Sequence, residues 1–321
     1  MTGATPPPIL AQLEIVRWLG DPLSRALLLP SLAAGVAIVT MCAVLSVLVV
    51  VKRLAFVGQG VAHSALGGVG VAAFLAALTG AAWLLPSAPG GLAIIVAFCI
   101  AAALGMGIVA DGKAVQVDTG IGLFLVGSMA LGALLVEWAR AAAERLHHPV
   151  PVRSWESVLF GALLPGSWGD ALFAAAVAAG VLLMLLLLRR PLWFYLTDET
   201  AARAFGVPVG AMRAALMIAL AAATVVAMQL TGVVLSSALL ILPGASALKL
   251  SSRLRPVMAL AVALGLAGLF GGVALALELD VQAGPCVVIL LVAIFAAATV
   301  YAGARSSRHI PIPSADPAPR A

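Results

Sequence analysis

Charge is scarce in this 321-residue chain: Asp, Glu, Lys and Arg together make up 10% of it, whereas soluble domains average about 25%. With 63% apolar residues and a mean hydropathy of +1.16, that scarcity excludes a soluble protein built on one large core. No stretch is long enough for a separate globular domain. The chain reads as an all-α polytopic membrane protein with room for roughly eight or nine spans of about 20 residues each. Cysteine is equally sparse: Cys42, Cys99 and Cys286 each lie in an apolar run, without CxxC or Cys/His zinc spacing. They read as small packing residues and indicate no redox compartment. HExxH, GxSxG and the phosphate-binding P-loop are all missing. Asp and Glu are absent from every span core, which removes the relay that a proton-driven carrier would use. The net charge of +5 comes from cations between apolar runs, with no patch of interleaved aromatics. It therefore speaks for membrane orientation and not for nucleic acid.

What is present divides into a leading segment 1–26, a membrane domain 27–301 and a tail 302–321 rich in Pro and Ser, read as disordered. The leading segment has no positive n-region. Its 10–18 stretch fits either a short interfacial helix, with Arg17 and Trp18 near the headgroups, or a polar lead-in. The apolar run 27–51 is too long for a signal-peptide core and reads as a retained span. Spans two and three, about 60–85 and 92–110, are separated by Pro86-Ser-Ala-Pro-Gly-Gly91. Span four, 119–136, is followed by the longest polar connection, 137–170. Span five, 171–188, stops at Arg189-Arg190-Pro191. The uncharged run 214–248 is too long for one helix; a turn at Gln229-Leu-Thr-Gly232 makes it two short spans, and Pro243-Gly244 offers a second break. Span eight, 256–277, turns at Glu278-Leu-Asp280 into span nine, 285–301. With nine spans, all but five of the 18 Lys and Arg fall on one side, the exceptions being Arg17, Arg25, Arg140, Arg145 and Arg153. The positive-inside rule then puts the N-terminus outside and the C-terminus in the cytoplasm; eight spans would send Lys249, Arg253 and Arg255 outward.

The organising stretch is 51–71, VKRLAFVGQGVAHSALGGVGV. His63 is the one histidine inside a membrane-length segment; His147, His148 and His309 lie in polar stretches. Gln59 and His63 are four residues apart, on one helical face that Gly67 and Gly70 continue. An amide oxygen and an imidazole nitrogen can together hold a borderline divalent cation. The alternative is a buried histidine bonded to a backbone carbonyl, with glycines that serve only close packing. Ser64 adjoins His63, but helical neighbours point about 100° apart, so the two make a poor nucleophile and base. His147 and His148 are either an outer metal attractant or ordinary loop residues.

The segment 196–213, LTDETAARAFGVPVGAMR, departs most from the rest. Thr197 or Asp198 can cap a short helix with Asp198 and Glu199 in its first turn, and Gly206-Val-Pro208 ends it. It fits a cytoplasmic helix that docks on a soluble partner through Ala201, Ala202, Ala204 and Phe205, with Arg203 as a polar contact. It equally fits a solvated loop.

Four stretches in order resemble the permease subunits of ABC importers for zinc, manganese and iron: 52–72, 198–213, TGVVLSSALLILPGASALKLSSRLRP at 231–256, and AGPCVVILL at 283–291. The resemblance implies a vitamin-B12-type importer fold in a prokaryotic inner membrane. A second permease copy would complete the pathway, ABC ATPase subunits would bind below, and an extracytoplasmic metal-binding protein would deliver cargo. It implies no enzymatic activity in the chain itself and no permanently bound cofactor, the metal ion being cargo. Asp198, Glu199, Ala201, Arg203, Phe205 and Gly206 would then belong to the element that meets the ATPase. In this family an Asp and a His four residues apart on the second span contribute to a metal site; the His matches His63, and Gln59 stands where the Asp would. A further histidine of zinc-type members is absent from GLFLVGSMALG at 122–132. Rival readings are a permease for a metal chelate or cobalamin and, from other classes, an intramembrane enzyme using Ser64 and His63 or a non-transporting scaffold.

Overall fold

A backbone that crosses a hydrocarbon layer finds no water there and must satisfy its own N–H and C=O groups, which a helix does within one segment. The computed structural model describes residues 21–111, 117–146 and 167–306, and every regular element in them is a helix. In chain order these are α1 (Pro22–Val51), α2 (Ala55–Thr79), α3 (Pro89–Asp111), α4 (Val117–Leu146), α5 (Trp168–Leu187), α6 (Arg189–Thr197), α7 (Glu199–Ala204), α8 (Val209–Leu239), α9 (Leu242–Leu250), α10 (Leu254–Leu279) and α11 (Ala283–Ser306), with a 3-10 turn at Ala82–Leu84. Nine helical segments among the described residues are long and apolar enough to span a bilayer. The 10–18 stretch, His147, His148, His309 and the tail beyond 306 lie outside the described residues.

Three of the boundaries differ from the expected ones. The second span begins at Ala55 and ends at Thr79, where Gly80 closes the helix in the left-handed region (φ 66). The fourth runs past 136 to Leu146, with Glu137 and Arg140 paired at 2.9 Å one turn apart on its surface. Span five does end at Arg189-Arg190-Pro191, as expected: α5 stops at Leu187, Leu188 bends the chain and α6 starts at once, with Pro191 in the first turn, where a missing N–H removes no helical bond. The last helix extends past 301 to Ser306.

The long uncharged run breaks as expected. Gly232 sits at φ 83 and ψ 165, open to glycine, and divides α8. The spans on either side are Val209–Gln229 and Thr231–Leu250, the second completed by α9 after a step at Ile241. This irregular backbone is enclosed by protein: Thr231 and Val233 are buried, and the Thr231 hydroxyl donates to the Ala227 carbonyl at 2.8 Å.

Inside a bilayer, helices associate through close packing and not through the hydrophobic effect, so small residues mark the contacts. The pairing of α2 with α4 depends on this. A Cβ on Gly70 would lie 2.7 Å from the Gly132 carbonyl oxygen, and one on Gly132 would lie 2.5 Å from that of Leu66. Across the bundle, a Cβ on Gly272 of α10 would lie 2.5 Å from Val287 Cα of α11. The long α8 is central, touching α1, α2, α3, α5 and α11, and its Leu216, Leu220, Leu235 and Leu239 are fully buried. The periphery is apolar instead: Leu123, Leu172, Leu187 and Val300 are each more than 70% exposed, a surface fit for lipid or a second chain.

Candidate pathway and coupling sites

The α2 helix follows directly on the loop Lys52-Arg53-Leu54 and carries Gln59 and His63 one turn apart. Both are half-buried, and the Nδ1 atom of His63 is buried with no hydrogen-bond partner. Such an atom lacks the carbonyl bond that a purely packing histidine would be expected to make. The glycines that share this stripe do something else. Gly67 lies against Phe98 and the Ser128 carbonyl, and Gly70 against Gly132, so both are buried packing residues and the open part of the stripe is confined to Gln59 and His63. Ser64 points away into the α2 and α4 contact. It is fully buried, its hydroxyl donates to the Gly60 carbonyl at 2.8 Å, and its oxygen is 3.2 Å from that of Ser128. The hydroxyl is thus committed to the backbone, which weighs against the Ser64 and His63 enzyme reading. Among the described residues no group of three His, Cys, Asp or Glu side chains comes together.

The second site is the element between α5 and α8. Asp198 caps α7 by accepting from the Thr200 and Ala201 N–H groups, both at 2.9 Å. Gly206, at φ 75, ends it, and the Val207 N–H closes onto the Ala202 carbonyl at 2.9 Å. The expected contact face is partly reversed, since Ala202 is fully buried and anchors the turn while Ala204 and Phe205 face out. Phe205, 78% exposed, tilts against exposed Phe194 with ring centroids 6.2 Å apart, so a pair of aromatics crowns the element.

Beneath that crown Glu199 joins three cations. Its Oε1 accepts from Arg213 Nη2 at 2.9 Å and Arg203 Nη2 at 3.0 Å, and its Oε2 lies 3.7 Å from Lys52 Nζ. Arg203 is the exposed member, on α7 itself; Lys52 and Arg213 are largely shielded. Lys52 Nζ also stands 3.9 Å from the centroid of the Tyr195 ring, a cation–π contact. Burial lowers the Lys52 pKa, and the Glu199 charge opposes that shift. Burial, followed by the Glu199 charge, pushes the Tyr195 hydroxyl up to about 12. One carboxylate therefore ties α7 to the loop that opens α2 and to the first turns of α8.

Sequence reasoning places Asp198, Glu199, Ala201, Arg203, Phe205 and Gly206 in this element, with Arg213 at its end, but misses Phe194, Tyr195 and Lys52 as its partners. The i, i+4 spacing of Glu199 and Arg203 is a readable signal. Lys52 reads only as an orientation marker, and nothing local reveals its pairing.

The model of the ABC 3 transport family matches residues 24–302. The manganese transport system membrane protein MntC of Halalkalibacterium halodurans is 30% identical over 276 residues, 86% of this chain and 87% of that protein. The chelated iron transport system membrane protein YfeD of Yersinia pestis is 27% identical over 284 residues, 88% of each. In structure, a chain of PsaBC from Streptococcus pneumoniae, solved in complex with Fab, superposes with a TM-score of 0.73 at 22% identity, covering 91% of this chain and 99% of that one. The matched span contains both α2 with its histidine and the α6 and α7 element, and by it the chain belongs to the ABC 3 transport family.

Proposed function

We propose that the chain is the membrane-spanning permease subunit of an ATP-driven importer of divalent metal ions. It pairs with a second permease copy around a central pathway, couples to a separate ABC ATPase subunit, and receives cargo from an extracytoplasmic metal-binding protein. The observation that carries this reading is the capped α7 helix held by Glu199 between the start of α2 and the base of α8. A force applied to Phe205 by an ATPase passes through α7 to Lys52, and the helix that begins just beyond Lys52 carries Gln59 and His63. Nucleotide-driven movement thus reaches the residues proposed to contact cargo. Because basic residues gather at this end, positive-inside orientation makes it cytoplasmic and puts the N-terminus outside.

Manganese and iron are the cargo that the relatives' names suggest, with zinc as the third candidate. His63 supplies an imidazole and Gln59 an amide oxygen, a donor pair without negative charge that holds a dication weakly and briefly. ATP-dependent uptake of radiolabelled Mn, Fe or Zn is expected in proteoliposomes containing the full complex; no ATP-dependent uptake of any of them overturns the reading. The name of YfeD keeps a chelate permease in view. Uptake of chelated iron but not of free ions would favour it.

The aromatic crown provides a separate check. Phe205→Asp puts a charge on the proposed contact surface, and co-purification of the ATPase is expected to fall at least about tenfold, the effect of losing an aromatic anchor. Normal co-purification with normal stimulated ATP hydrolysis would remove residues 198–213 from the coupling role.

A further inference from the structure

We propose that a cleft at the basic end of the bundle binds an anionic phospholipid from the adjoining leaflet. The cleft, about 540 Å³, lies between α1, the α5 and α6 joint and the start of α10. Its floor is hydrocarbon, made by Val44 and Leu48 of α1, Leu185 of α5 and Met258 of α10. Its rim carries Arg189, Arg190 and Arg255, and no acidic residue lines it. Each of these arginines is exposed, and among the described residues none has a carboxylate partner. The contrast with Lys52, Arg203 and Arg213, all gathered on Glu199, leaves these three as the uncompensated charge at the cleft.

The placement selects the ligand. The α5 span ends at Leu187 and the α10 span begins at Leu254, so the arginines stand where hydrocarbon meets headgroups. Trp193, half-buried on the cleft wall, has the amphipathic ring favoured at that depth. A phosphodiester accepts paired hydrogen bonds from guanidinium groups, while the apolar floor offers nothing to a free nucleotide or an acidic peptide and suits the upper part of an acyl chain. Basic pockets between helices at the cytoplasmic face are the sites at which anionic headgroups are held. Arg189 and Arg190 open α6, the helix that leads into α7, so a bound lipid would brace the base of the coupling element against α1 and α10. The proposal rests on the bilayer-spanning fold and is independent of the cargo.

The test uses the full chain in a non-ionic detergent, offered equal amounts of phosphatidylglycerol and phosphatidylcholine and examined by native mass spectrometry. About tenfold preferential retention of phosphatidylglycerol is expected, given three arginines at the surface. The combined change Arg189→Gln, Arg190→Gln and Arg255→Gln should bring the two lipids level, whereas Arg140→Gln, at the opposite end, should leave the preference intact. Met258→Trp fills the floor with every charge in place and should lower phosphatidylglycerol retention. Equal retention of both lipids by the wild type overturns the proposal, as does an unchanged preference in the triple variant. Displacement of phosphatidylglycerol by millimolar inorganic phosphate would reduce the cleft to a simple anion site and also overturn it.

Discussion

Glu199→Gln is expected to leave the ATPase bound and hydrolysing ATP while metal uptake falls about tenfold or more. The amide keeps the size of the side chain and removes the charge that Lys52, Arg203 and Arg213 share. Arg203 is exposed and loses little, since surface pairs are worth about 0–1 kcal/mol. Lys52 and Arg213 are shielded and would lose the carboxylate they share, a loss of about 1–3 kcal/mol for groups of this kind, although the Asp198 charge still favours the cationic Lys52. At about 1.4 kcal/mol per tenfold, this weakens the tie of α7 to the loop before α2 and to α8 by about tenfold, while buried Ala202 still anchors the turn. Phe194, Phe205 and the Asp198 cap are untouched, so the proposed docking surface survives. The signature is therefore a split between hydrolysis and transport, with Glu199→Asp restoring part of the coupling. Uptake and hydrolysis that stay in the wild-type ratio would end the proposed mechanical role of Glu199.

His63→Ala is expected to reduce uptake of the transported metal by at least about tenfold, because even residues that merely support a metal ligand cost about 10–100-fold when removed. The substitution is mild for the fold: His63 is half-buried and its Nδ1 satisfies no other group. The companion Gln59→Asp adds a negative charge one turn away. It should tighten retention of hard cations, Mn above all, and slow their release, since carboxylate oxygens suit Mn better than an amide does. Measured in proteoliposomes, unchanged uptake of Mn, Fe and Zn in His63→Ala would take His63 out of the pathway. A Gln59→Asp protein with unaltered metal selectivity would take Gln59 out as well.

How far the sequence reaches depends on how local each feature is. Spans are legible because a bilayer demands long apolar helices, and even the division of the long run is readable from Gly232, where only glycine tolerates the backbone. The end of span four is not, since Glu137 and Arg140 read as a loop until their pairing along a helix is seen. At the Arg189-Arg190-Pro191 step the end of span five is legible, but the immediate start of α6 is not, because proline suggests a stop although it is harmless in a first turn. In the candidate site, His63 and its one-turn relation to Gln59 follow from helical spacing alone. The covering of Gly67 and Gly70 does not, because the stripe is common to all four and only the approach of α3 and α4 decides which part is closed. Lys52 and Glu199 come from distant parts of the chain, and no local rule could pair them.

That long-range pairing limits what can be exchanged between related permeases. A chimera that receives a foreign 198–213 segment would bring its own carboxylate, or none, to a lysine that in this chain faces Glu199. The proposed coupling element is thus no portable cassette. It is tied to position 52 on another part of the chain, and a working transplant is expected to need both.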